Sequence, residues 1–294
     1  MTSVPFIALS ACDRVDGWAA APLPFEPRGS MLEYRQALRG AIAELPVAAG
    51  RTLVGCYASV DARRCDVENL LLYNVGLSAF AHLHVQDVVL VRSTTPPPPP
   101  DGVSRTLGHH HRYQLANAPP PAPSGPVVAR LAPTPLRMPL RVESVWYDIR
   151  SRGHLDVGDG AGELLAVEVT VHRPRSALHP GLLGMVKVAV DGFISALHTH
   201  DGTGLEVVAE RLGARLGVPG EGVADLLSAN PAGVLGLRRL LWPFRDFVQW
   251  NPADDIIGWL RVRAEAASAW QLSAKVSVFD RGGRGPTPGD TGRA

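Results

Sequence analysis

Apolar residues along the chain recur with two different periods, and the alternation between those periods predicts a strand–helix–strand protein. Phe6–Ala11 reads as an opening strand, followed by a helix in which Leu32, Leu38, Ile42 and Leu45 repeat at helical spacing. The start signal of that helix is Ser30 as N-cap with Glu33 three residues on, a capping box, and Pro46 follows its end. Thr52–Val60 is β-rich, Val67–Phe80 is an apolar helix, and His82–Val91 is a further strand whose run Val88-Val89-Leu90-Val91 predicts burial on both faces. Farther along, Glu143–Ile149 and Leu164–Val171 read as strands joined by a Gly-rich turn at Gly158–Gly162. Leu182–Leu197 reads as a helix, and Ile256–Arg263 and Leu272–Phe279 as strands. Between them, Leu205–Leu216, Glu221–Ala229 and Leu235–Leu241 have helical patterns.

The predicted fold class is α+β (mixed α/β), as two lobes of strand–helix–strand units separated by a proline-rich segment. Residues 1–93 make the N-terminal lobe. Residues 94–139, which hold the runs Pro96–Pro100 and Pro119–Pro123, read as a linker or surface insertion, because proline cannot donate to a ladder and favours extended polyproline II. Residues 140–280 make the C-terminal lobe with a helical insertion at 203–242, and 281–294, rich in Gly, Pro and Thr, read as a disordered tail. The two lobes share an outline: Leu53–Val60, Val67–Phe80 and Val85–Val91 against Leu164–Val171, Leu182–Leu197 and Ile256–Arg263. An internal duplication requires the same strand order in both halves, and different orders would exclude it.

Composition narrows the class. Over 294 residues, 46% hydrophobic and 19% charged are the proportions of a globular protein, and no apolar run approaches the roughly 20 residues that span a bilayer. Leu9-Ser10-Ala11-Cys12 has the look of a lipoprotein cleavage box, but no Lys or Arg precedes it and the apolar stretch is short, so the segment is expected to be a strand. Cys12, Cys56 and Cys65 form no CxxC pair and are odd in number, which argues against a disulfide framework and for a reducing, cytoplasmic compartment. A net charge of +1 supplies no global attraction to nucleic acid or membrane.

One constellation carries chemistry. Asp66-Val67-Glu68-Asn69 opens the second helix, and Asp87 lies on the strand that follows. Carboxylates are favoured at a helix N-terminus, and a third from the adjacent strand completes an oxygen-ligand set suited to Mg²⁺. Arg63 and Arg64, just upstream, are candidates to hold a phosphate. The plainer reading is that Asp66 and Glu68 are only what helix capping selects.

The order strand, helix with Glu33-Tyr34-Arg35-Gln36-Ala37-Leu38-Arg39, strand, Asp66-Val67-Glu68-Asn69-Leu70-Leu71, strand with Asp87 resembles the RusA-type Holliday junction resolvases. That family carries Asp-x-Asp-Asn at a helix start and a further Asp beyond the helix, and these acids bind Mg²⁺ for phosphodiester hydrolysis. The resemblance implies that Asp66, Glu68 and Asp87 are the metal-binding, catalytic acids of a Mg²⁺-dependent endonuclease acting on DNA. The sequence departs from the family where Glu68 replaces an Asp, Leu72 stands at the family's Lys, and Asn74 takes the place of a second acid. In the second half, Lys187 and Asp191 fit the family's Lys-x-x-x-Asp step and Asp254-Asp255 resembles its later acidic pair, but Pro180–Leu183 lacks the acids. The likeness covers about residues 5–92, and faintly 164–263.

Two other function classes stay open. The chain is alternatively a non-catalytic binding or scaffold protein whose acids are caps, with Lys187–Asp191 a helix-face ion pair. Or it is an enzyme that uses the aromatic stretch Trp242–Trp259 as a small-molecule pocket. In that stretch, Trp242, Phe244, Phe247, Trp250 and Trp259 surround Asn251–Asp255 and could equally stack bases or form core. His109-His110-His111 is expected in a solvated loop, His82 and His84 on one face of a strand, and His198–Asp201 at a helix end. Leu205–Ala229 has the rhythm of a helix-turn-helix, but Glu221 and Asp225 would repel phosphate, so it is expected to be a packing pair. A homodimer is compatible with all of these readings.

Overall fold

Strand-forming segments dominate the chain, and in the computed structural model they assemble into one ten-stranded sheet. The structure describes residues 6–47, 49–62, 65–101, 106–175, 181–229 and 234–279. The first half contains β1 (Phe6–Ala11), β2 (Arg14–Ala19), α1 (Ser30–Ala43) and β3 (Thr52–Ser59). A π turn (Asn69–Tyr73) and a 3-10 turn (Leu77–Phe80) then lead to β4 (Asp87–Ser93) and β5 (His109–Ala116). The second half opens with β6 (Val127–Pro135), α2 (Val142–Arg152), β7 (Leu155–Val157), β8 (Leu165–Pro174) and α3 (Leu182–Ala196). An insertion follows, made of β9 (Thr199–His200), α4 (Leu205–Leu216), α5 (Gly220–Ser228), β10 (Leu237–Arg238), β11 (Leu241–Phe244) and β12 (Phe247–Trp250). The chain then returns to the sheet as β13 (Ile257–Ala267) and β14 (Gln271–Val278). Helices and a large mixed sheet together make the class α+β, as the patterning predicts.

The strand order is β1-β2-β5-β3-β4-β13-β8-β14-β6-β7. Each half contributes one side of it, and the two sides repeat a single topology. In the first, β2 and β5 are antiparallel, β5 and β3 antiparallel, β3 and β4 parallel. In the second, β6 and β14 are antiparallel, β14 and β8 antiparallel, β8 and β13 parallel. The halves join where β4 and β13 run antiparallel, Leu90 opposite Leu260, which relates them by an approximate two-fold axis. The shared order is the one that an internal duplication requires.

Several expectations are corrected. The proline-rich segment 94–139 is not a linker: β5 lies between β2 and β3, and β6 pairs with β14. Its proline runs flank two strands whose Tyr113, Leu115, Val128 and Leu131 are buried in the core, so the halves are sides of one sheet rather than separate lobes. His110 and His111 are buried within β5, not in a solvated loop. Glu143–Ile149 is helical because Val145, Trp146 and Ile149 fall on one helix face. Residues 235–241 give only the short β10 and the start of β11, since Gly236 has a left-handed φ of 85°. Ser30 does not cap α1; Gly29 occupies that position with no side-chain cap. His82 and His84 precede the strand rather than lying on it, and His84 has φ 45°. The tail from 280 onward lies outside the described residues. None of the described helices is long and apolar enough to cross a membrane.

Alternation along each strand sorts side chains onto two faces. Val88 and Leu90 face the main core with Val186, Val190 and Phe193 of α3, while Val89 packs on the opposite face with Ala166 and Trp259. α3 approaches α2 closely at Gly192, where a Cβ would lie 2.6 Å from Val145 Cβ. The opposite face is covered by the proline-rich stretches: Ala122 packs against the Val89 cluster, and Trp18 Nε1 donates to the Pro97 carbonyl at 3.2 Å.

The main core also encloses a polar pair. Tyr34 on α1 and His111 on β5 are both fully buried, with the Tyr34 hydroxyl 2.9 Å from His111 Nδ1. Burial pushes the His111 imidazole down to about 3, so the ring stays neutral. Tyr34→Phe is expected to cost about 1–3 kcal/mol by stranding that nitrogen, read as a drop in the urea-unfolding midpoint at unchanged slope.

Candidate metal centre

The first acidic segment follows the end of β3. Asp66 Oδ1 accepts the Asn69 backbone N–H at 2.9 Å, and Asp66 Oδ2 accepts from the Asn69 side-chain amide. Asp66 is therefore a helix cap, as the plainer reading expects. Helical winding begins normally, with Leu70 N–H donating to Asp66 O, then widens to an i to i+5 bond from Asn74 N–H to Asn69 O at 2.8 Å. Gly76, at φ 102°, ends the turn.

Glu68 is not explained by capping. It is fully buried, and neither carboxylate oxygen has a hydrogen-bond partner among the described residues. Leaving a buried carboxylate without donors is costly, and its surroundings are acidic. Ligand oxygens of Asp66, Glu68 and Asp254 lie within 4.8 Å of one another. Asp254 comes from the short turn before β13. That turn is held beside the first acidic segment by Arg92 at the end of β4, whose Nη1 donates to Cys65 O at 2.9 Å and Asp255 O at 2.6 Å. Arg92 thus ties two loops from different halves, each one residue from a cluster carboxylate.

α3 completes the cluster. Lys187 Nζ stands 3.2 Å from Asp191, 3.5 Å from Glu68 and 3.8 Å from Asp66. It also lies 5.6 Å from the Tyr73 ring centroid, and the Tyr73 hydroxyl accepts the Lys187 backbone N–H at 2.9 Å. Three carboxylates thus pair with one ammonium, and the Asp254 charge acts on it from beyond ion-pair distance. Burial, then the neighbouring Asp66, raise the Glu68 carboxyl well above the usual range. Burial raises Asp254 to about 8 and Asp191 to about 6, with the nearby Asp66 charge adding to both and Lys187 opposing. Lys187 is held protonated because Glu68, Asp191 and Asp66 outweigh its own burial.

The site residues expected from sequence divide into three groups. Asp66, Glu68, Lys187, Asp191 and Asp254 come together, across both halves. Asp87 does not join them. It alternates with Val89 and Val91 onto the opposite face of β4, at the end of the strand away from Arg92, and pairs with Arg261 at 3.0 Å. Five residues of strand separate it from Arg92, roughly 16 Å. Asp255 contributes its backbone carbonyl to Arg92 rather than a cluster ligand. Arg63 and Arg64 lie outside the described residues.

A cavity of about 270 Å³ adjoins Asp66, walled by Tyr57, Asp61, Cys65, Asn69 and His109. Its Tyr57 hydroxyl lies 2.8 Å from His109 Nδ1. The aromatic stretch is divided between two places: Trp242 and Trp250 belong to the β11–β12 hairpin, while Trp259 is buried beneath the far face of the sheet. His200 is used within the fold: its Nε2 donates to Leu241 O at 3.2 Å and its Nδ1 accepts the Gly202 N–H at 2.9 Å. Arg92 and Tyr73 carry no recognisable motif. The antiparallel contact between halves, invisible in a linear pattern, is what joins Arg92 to Asp255 and Tyr73 to Lys187.

No family model, curated protein or solved structure matches this chain.

Proposed function

We propose that this protein is a divalent-metal-dependent phosphodiesterase acting on DNA, with Mg²⁺ held by Asp66, Glu68 and Asp254. The carrying observation is the convergence of these three carboxylates around Glu68, which is buried without a hydrogen-bond donor. An all-oxygen donor set suits a hard cation, and the raised Asp254 and Glu68 carboxyls mean that the cluster holds protons which a cation would replace. A bound Mg²⁺ would polarise the phosphate and lower the pKa of a coordinated water. Lys187 adds positive charge next to the acids, where negative charge builds up on a phosphate in reaction, and Asp191 holds its ammonium in place. The cavity beside Asp66 opens next to the acidic cluster.

One observation favours a second reading. Lys187 already sits among the acids, and an ammonium there can neutralise a purely structural cluster in a non-catalytic scaffold protein. Calorimetric titration with Mg²⁺ and Mn²⁺, repeated on Asp66→Asn, separates the two. Binding lost in the variant, with cleavage of branched or linear DNA lost alongside it, supports the hydrolase; a wild type that binds neither ion supports the scaffold.

Metal binding should also depend on pH in a defined direction. Ligand carboxylates must be ionised to bind, and Asp254 sits at about 8 and its neighbour Asp191 at about 6. The apparent affinity is therefore expected to rise between pH 6 and 8, by up to about tenfold per pH unit for each proton displaced. Titration in two buffers of different ionisation enthalpy will count those protons; a pH-independent affinity contradicts the assignment.

A further inference from the structure

The β11–β12 hairpin presents an apolar tip that the fold does not use. Phe244 and Phe247 are 40% and 38% exposed, while Leu241 and Val248 on the same ribbon are buried. The two phenyl rings meet edge to face at 5.2 Å, and the Arg245 guanidinium lies 5.4 Å from the Phe244 centroid. The tip is rigidly held. Arg211 of α4 donates to the Arg245 carbonyl at 2.6 Å, Trp242 Nε1 donates to Gln249, and Trp250 packs on Trp146 at the base. At the tip itself Arg245 neighbours Asp246, and Arg211 of α4 reaches the same turn, whereas Arg238 and Arg239 precede the base of the hairpin. The ribbon then runs through Asn251–Ala253 directly into Asp254 of the acidic centre.

We infer that this tip is a stacking platform for unpaired nucleobases of a nucleic-acid substrate. Aromatic faces accept any base, Arg245 and Arg211 beside the rings offer guanidinium donors to a phosphate, and a preordered platform loses little freedom on binding. The base of the hairpin leads through Asn251–Ala253 into the turn that carries Asp254, so an extended substrate would engage both a stacked base and the acidic centre. The inference deepens the phosphodiesterase reading and rests on it for that last step, but base stacking has its own readout.

The test uses the full chain with Ca²⁺ in place of Mg²⁺, and a forked DNA carrying 2-aminopurine at its unpaired positions, with a blunt duplex as control. The wild type is expected to bind the fork more tightly than the duplex and to quench 2-aminopurine. Phe244→Ala/Phe247→Ala should lose roughly tenfold to a hundredfold in fork affinity and the quench with it. Phe244→Trp/Phe247→Trp should keep both, and the thermal midpoint and Mg²⁺ titration of the alanine variant should stay at wild-type values. An alanine variant with unchanged fork affinity and quench overturns the inference, as does a wild type that binds no fork. Loss of a wild-type dimer by light scattering, with fork affinity untouched, also overturns it by making the tip a protein contact. Fork binding by a protein that takes up no metal at Asp66 would sink the hydrolase reading and leave the platform standing.

Discussion

Lys187→Met is expected to destabilise the metal-free protein by about 2–3 kcal/mol at pH 8, and by much less at pH 5. Removing one partner of a fully buried ion pair costs roughly 3–5 kcal/mol. The smaller figure reflects a lysine side chain that is 34% exposed, where solvent screens part of the interaction. The pH dependence follows from the acids around it. Asp254 and Asp191 have folded-state values raised to about 8 and about 6, above the ordinary carboxylate range. The folded state therefore binds more protons than the unfolded state, and the contribution of these groups to stability falls as pH rises from about 4 through 8. Without the ammonium the repulsion at pH 8 is uncompensated, whereas at pH 5 the protonated acids have little to repel. Millimolar Mg²⁺ at pH 8 should restore part of the loss, because a cation bound only by the folded state stabilises it. Chemical unfolding at the two pH values, with and without Mg²⁺, reads all three effects. An equal loss at both pH values with no rescue would mean that the lysine matters for its packing on Tyr73 and not for its charge.

Glu68→Gln should move stability and function in opposite directions. The buried carboxylate has no donor of its own and stands among like charges. A neutral amide of the same shape removes the repulsion and can donate to Asp66 or Asp254. A gain of about 1–3 kcal/mol in the metal-free protein at pH 8 is expected, the scale of relieving an unsatisfied buried group, since Asp66 and Asp191 remain to pair with Lys187. The same change deletes an anionic metal ligand. If the centre works as proposed, cleavage should fall by about a thousandfold or more, since a metal supplies several kcal/mol of charge stabilisation and each 1.36 kcal/mol is tenfold. Melting curves and a plasmid cleavage assay on one preparation would check both. A variant that is stabilised and still cleaves would remove Glu68 from the centre.

Much of the frame was legible as pattern. An apolar run marked β1, β-rich composition marked β3, alternation marked β14, and the dense apolar run of α3 marked a helix buried nearly all round. The errors came where one physical signal masked another. Prolines at Pro96–Pro100 and Pro119–Pro123 hid β5 and β6, although proline only bars itself from a ladder and not the residues between two runs. Val145, Trp146 and Tyr147 favour strands individually, yet the helical face of Val145, Trp146 and Ile149 prevailed through packing on α3. At the site, Asp66 and Glu68 were visible because they are adjacent in sequence, as were Lys187 and Asp191 as a helical pair. Asp87 was assigned by order along the chain, and order does not encode face: one position of alternation turned it to the far side of the sheet. Asp254 could be suspected but not placed, since its approach depends on which strand of one half pairs with which strand of the other.

The antiparallel seam between β4 and β13 has a further consequence, in the freedom it gives each half to change. Two separate copies meeting across a two-fold axis carry every substitution twice, so a residue near the axis always faces its own duplicate. Here, counting from Asp66 and from Pro180, Tyr73 and Lys187 occupy the same step, and these two residues touch each other across the seam. A covalent chain has escaped that constraint. One half carries Asp66 and Glu68, the other has no acid between Glu168 and Asp191 but supplies the lysine. Because the halves are tethered, their association is intramolecular and survives any dilution. Asymmetry of this kind lets carboxylates from both halves converge on one centre beside Lys187, where a symmetric pair would have to build and neutralise two.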